Sequence, residues 1–175
     1  MPIFRYFFAA ILFTTVLSNA QSAAANEDEL LRIVTCQSDK SKTDLLESKF
    51  IKQNPEHYGL APDHNTGLFL PKASLAVQGL SVKAYGSTVS IEGSPGLFLA
   101  ASFDEVQKEW TKLLGAAPIG QSKSDVRISV WTGSKGSPML FDLSNPDTQR
   151  IYRHTFSDFP DGISALVYCS DKRVK

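Results

Sequence analysis

Apolar and polar positions change rhythm several times along this chain, and each rhythm predicts an element. The clearest is SFDEVQKEWTKLLG, residues 102–115. Phe103, Val106, Trp110 and Leu113 recur at steps of three and four, which is one face of a helix. Ser102 and Glu105 make the S-x-x-E capping box at its start, and Gly115 is placed to stop it. On the outer face Asp104 is expected to pair with Lys108 at i,i+4. A second helix is expected after Ser41 or Thr43, carrying Leu45, Leu46 and Phe50 and ending at Pro55.

Elsewhere the alternation is that of strands. LLRIVTC, 30–36, is rich in apolar and β-branched residues and reads as the first strand. SVKAYG (81–86) and STVSIEG (87–93) alternate and meet at Gly86, which suggests a hairpin; LFLAA (97–101) is a short buried strand. Four segments then form an expected antiparallel meander: VRISVWT (126–132), SPMLFDL (137–143), QRIYRHTF (149–156) and ISALVYC (163–169). GSKG (133–136) and the Pro-Asp-Gly sequence at 160–162 supply turns. Between the two families of pattern, QNPEHYGLAPDHNTGLFLPK (53–72) has no period and reads as a long loop. Loops of that length are often functional. The fold class expected is α+β: a mostly antiparallel sheet with a C-terminal four-strand meander, two helices packed on it and one disulfide.

The beginning of the chain differs from all of this. Arg5 is its only charge before Glu27, residues 6–17 are almost all apolar, and small residues follow in SNAQSAAAN. That is the pattern of a secretory signal peptide, 1–25, with cleavage after Ala20 or Ala25. The apolar run is too short to span a bilayer comfortably. Residues 26–175 then form a single globular domain with no transmembrane segment after cleavage. Losing residues 1–25 removes Arg5, so 17 basic residues stand against 18 acidic ones. A near-neutral chain with both signs interspersed lacks the basic patch that nucleic acid requires, so no nucleic-acid partner is expected.

Export changes the reading of the only two cysteines, Cys36 and Cys169. Disulfides persist in oxidising compartments, and an even count favours pairing. No short-spaced partner makes either a metal ligand. A Cys36–Cys169 bridge is expected, and it requires the two Cα atoms to lie within about 7 Å. The segments carrying them are therefore read as neighbours in one sheet or across one core. Localisation follows as periplasmic or secreted.

Candidate chemistry is sparse. There is no H-E-x-x-H, nucleophile elbow, S-x-x-K, Walker loop or dinucleotide-binding glycine motif. No cofactor is expected. His57, Tyr58, Asp63 and His64 lie in the irregular loop, where His57, Asp63 and His64 could serve as ligands to zinc or copper. Arg150, Tyr152 and His154 share one strand face, a basic–aromatic stripe able to meet an acidic or sugar ligand. Trp131 is read as pointing to the same side as Arg127, which would add it to an exposed patch. The functional expectation is a non-catalytic binding or interaction protein of the bacterial periplasm with a protein partner, such as an inhibitor- or immunity-like protein. The alternative is a small periplasmic hydrolase or metal-dependent enzyme using the loop histidines.

Overall fold

A computed structural model describes residues 27–38, 49–87, 95–121, 126–148 and 160–170. Its centre is an antiparallel sheet. We label the strands β1 (Leu60–Pro62), β2 (Phe69–Pro71), β3 (Ala76–Val77), β4 (Leu80–Ser87), β5 (Pro95–Leu99), β6 (Gly120–Gln121), β7 (Ile128–Val130), β8 (Ser137–Asp142) and β9 (Ala165–Ser170). The order across the sheet is β1-β2-β4-β5-β9-β8-β7-β6, and β3 pairs with the start of β4. The helical segments are α1 (27–34), α2 (Lys49–Gln53), a 3₁₀ turn at Pro55–Tyr58, α3 (Phe103–Leu114) and a helical stretch at 146–148. The α+β class with one Cys36–Cys169 bridge is as expected.

The two central strands are buried on both faces. Leu97 and Leu99 of β5 and Ala165 and Val167 of β9 enter one apolar cluster with Leu30, Ile33 and Val34 of α1 and Phe103, Val106 and Trp110 of α3. Phe98 of β5 and Leu166 and Tyr168 of β9 point the other way, into a second cluster with Leu68, Ala84, Phe141 and Ile163. Strict alternation along each strand therefore serves two cores rather than one core and a wet face. Register carries this through the sheet: Val167 lies opposite Leu97 on one side and Leu140 on the other.

Of the expected meander, β7, β8 and β9 are successive neighbours. β8 pairs with β9 directly along its whole length, from Ser137 opposite Ser170 to Asp142 opposite Ala165. The segment 149–156, including Arg150, Tyr152 and His154, lies outside the described residues, as do 1–25 and most of the expected helix after Thr43. The described end of that helix, α2, stops before Pro55 as expected.

Four readings are corrected. Residues 30–34 are helix, not strand. Leu30, Leu31, Ile33 and Val34 fit a helical stripe as well as an apolar run, and their burial in the α-side cluster decides between the two. The expected hairpin turn at Gly86 is not there: β4 runs straight through Gly86 to Ser87 and pairs with β5, while 88–93 lie outside the described residues. The presumed loop 53–72 contains a hairpin, with Leu60 opposite Pro71 and Pro62 opposite Phe69. Two three-residue strands, each ending in proline, are too short to show a period in sequence. Pro62 is tolerated because β1 is the outermost strand, where a missing N–H breaks no ladder.

The fourth correction is Trp131, which is fully buried rather than exposed. Its indole N–H donates to the Ala116 carbonyl at 3.0 Å, tying β7 to the chain leaving α3. That chain enters the sheet at once, since the Ile119 N–H donates to the Val130 carbonyl at 2.7 Å.

Candidate functional site

α3 is fixed at its start by the expected capping box. Glu105 N–H donates to Ser102 Oγ at 3.3 Å, and Ser102 N–H donates back to the Glu105 carboxylate at 2.9 Å. The Ser102 hydroxyl, which donates to the same carboxylate at 2.7 Å, and after it the Ser102 N–H hold the Glu105 carboxyl below its ordinary pKa. The helix ends at Gly115, with φ 65°. Asp104 does not use Lys108 as its partner. It pairs instead with Arg127 just before β7, across the helix–sheet gap. Arg127 also lies 3.6 Å from the buried carboxylate of Asp142 and 4.3 Å from the Phe103 ring centre. Gln107 donates to the buried Ser129 hydroxyl at 3.0 Å. These polar groups satisfy one another, so they anchor α3 and leave little free donor or acceptor capacity for a ligand.

The last turn of α3 and the chain after it present a different chemistry. Leu113 is 36% exposed and Ile119 is 53% exposed; they are the exposed large apolar side chains among the described residues. Gly115, Ala116 and Ala117 between them are exposed as well. The segment L-L-G-A-A-P-I, 113–119, thus forms an apolar bend leading into β6, the outer strand of the described sheet at that side. Sequence periodicity placed Leu113 on the inner face with Trp110. It stands at the margin of that face, beyond the cover given to Val106 and Trp110, which are 0% exposed. The sequence signal for this surface is a stretch of only Ala, Pro and Ile directly after a helix stop.

The 3₁₀ turn at Pro55–Tyr58 and the β1–β2 hairpin after it hold the other described candidates. Asp63 closes the turn between the strands: its carboxylate accepts from the Thr66 hydroxyl at 2.6 Å and the Asn65 N–H at 3.2 Å. Those bonds, the Thr66 hydroxyl first, hold the Asp63 carboxyl below the usual range, so it is ionised at neutral pH. His64 and His57 are exposed. The His57 ring meets Tyr58 edge-on with ring centres 5.0 Å apart. Tyr58 is buried at 4% exposure, and its hydroxyl hydrogen-bonds Glu29 of α1. Burial first, and the adjacent Glu29 carboxylate second, push its pKa up to about 12. Tyr58 is thus a structural tie between the hairpin and α1. Glu56 is paired with Lys72, which depresses its pKa.

His57, Asp63 and His64 are not gathered into a metal site. Among the described residues no three His, Cys, Asp or Glu side chains stand close enough to hold an ion. Asp63 in particular has both carboxylate oxygens engaged within its own turn. Nor is any described helix long and apolar enough to cross a membrane. No family model, characterised protein or solved structure is significantly similar to this chain.

Proposed function

We propose that this is an exported, non-catalytic interaction protein of the bacterial periplasm, and that its partner is a protein docked against the 113–119 bend. The observation that carries the reading is the exposure of Leu113 and Ile119 in one short apolar segment. Apolar side chains grouped at the surface mark contact sites more often than singly scattered ones do. The bridge between Cys36 and Cys169 supports an oxidising compartment, in keeping with the leader-like sequence at 1–25. An inhibitor- or immunity-like role suits a small, near-neutral domain of this kind. The hairpin 55–71 is the weaker candidate surface, because Asp63, Thr66, Glu56 and Lys72 bond to one another.

Capture from a periplasmic extract on the immobilised mature domain tests the reading. A retained protein is expected on the native domain, with at least roughly tenfold less on the Leu113→Glu/Ile119→Glu form, since charge at the centre of a contact is costly. A His57→Ala/His64→Ala form should retain it fully. Equal retention on the native and the 113/119 forms would remove the proposed surface. Loss on the histidine form alone would move it to the hairpin.

A further inference from the structure

We infer that the Cys36–Cys169 bond is a redox-dependent latch on the first helix, and not only a staple on the whole fold. The two cysteines are held very differently. Cys169 lies in β9, which pairs with β5 over Gly96–Leu99 on one side and with β8 over Ser137–Asp142 on the other. That strand stays placed without the bridge. Cys36 lies just past the end of α1, which holds no place in the sheet and meets the rest of the domain through side chains.

The turn at Cys36 is a two-bond helix stop. Cys36 N–H donates to the Ile33 carbonyl at 3.2 Å, and Gln37 N–H reaches back to the Arg32 carbonyl at 2.7 Å. In this motif the residue at Cys36 must be left-handed, and its φ is 61°. Glycine is the usual occupant because a side chain is disfavoured there. Left to itself, this helix end would therefore open more readily than one closed by glycine. The bridge holds it shut, with Cα atoms 5.1 Å apart.

Behind the sulfurs there is no spare room. A Cβ built on Gly136 would lie 3.0 Å from Cys169 Sγ and 3.1 Å from Cys36 Sγ. Two thiols need more separation than two bonded sulfurs, which sit about 2 Å apart. With β9 pinned and Gly136 behind, the element able to give way is the end of α1. The Lys135 ammonium, which donates to the Ser38 carbonyl at 3.2 Å, is a further tie at this corner, and it does not depend on the sulfurs. Closing the latch takes two electrons and two protons from the thiols. A disulfide-bearing oxidant accepts them and leaves as a dithiol; a dithiol reductant reverses the step. That the latch closes after export rests on the function proposed above; the latch itself does not.

Hydrogen exchange on the purified mature domain tests it, comparing the oxidised protein, the protein reduced with dithiothreitol, and Cys36→Ser/Cys169→Ser. On reduction the amides of 35–38 are expected to lose protection by on the order of tenfold more than those of 97–99 and 166–168, as for a local opening. The double-serine form should match the reduced protein. Loss of protection by the same factor in both regions, including complete unfolding, would overturn the latch and leave a global staple. Unchanged protection at 35–38 would overturn it as well.

Discussion

Replacing Cys36 and Cys169 together by serine is expected to lower the free energy of unfolding by about 4 kcal/mol and the melting temperature by roughly 12 °C. The bridge spans a sequence separation of 133 residues, so it removes a large share of the freedom of the unfolded chain. By chain entropy alone the upper figure is about 5 kcal/mol, and any distortion of the native geometry subtracts from it. Thermal unfolding followed by circular dichroism checks the value. The native protein in excess reductant should melt with the double-serine variant. A drop of less than about 3 °C would show that the bridge contributes little to global stability. This outcome is separate from the local comparison of exchange rates at 35–38, which concerns where stability is lost rather than how much.

Gly136→Ala is expected to cost about 3 kcal/mol, near the upper end for overpacking, because the atoms it meets cannot step aside. The added carbon would lie 2.5 Å from the Ser170 carbonyl oxygen, which belongs to the backbone of β9, and against both bridged sulfurs. None of these is the free end of a flexible side chain. Gly67→Ala is the matched control. It has φ 71° and nothing within 4 Å of a new Cβ, so only the left-handed backbone preference is lost. That preference is worth about 1 kcal/mol. Urea unfolding of the two variants should show Gly136→Ala clearly the weaker, at an unchanged slope. Equal losses would mean that the corner around the bridge is looser than its packing indicates.

What was legible in the sequence follows from how local each signal is. α3 was readable because its cap, its apolar face and its stop all fall within 102–115. The bridge was readable from parity and the leader-like beginning, without knowing which elements it joins. α1 was misread because Leu30, Leu31, Ile33 and Val34 suit a buried strand and a helix alike, and the usual glycine stop is replaced by Cys36. A tertiary bond stands there in place of a local signal. The hairpin at 60–71 was missed because three-residue strands have no measurable period, and their pairing is fixed by β4 far along the chain.

The candidate surface was less legible than the fold. Trp131 shares a strand face with Ser129, and that face turned out to lie under α3 rather than in solvent. Which face of a strand is wet depends on what packs over it, and that is decided by elements distant in sequence. Leu113 shows the converse: helical spacing assigned it inward, but in the last turn of α3 it is Leu114 that packs against the core, and Leu113 is left at the surface. His57, Asp63 and His64 read as a donor set in sequence, yet the Asp63 carboxylate is spent on closing its own turn.

The most direct test of the central claim, an exported domain closed by its two cysteines, is the intact mass of the protein recovered from the cell envelope without reductant. The account predicts a chain beginning at Gln21 or Asn26, lighter by two hydrogens than the same chain after reduction. A chain that retains residues 1–25 and carries two free thiols would contradict both the export and the bridge on which the rest depends.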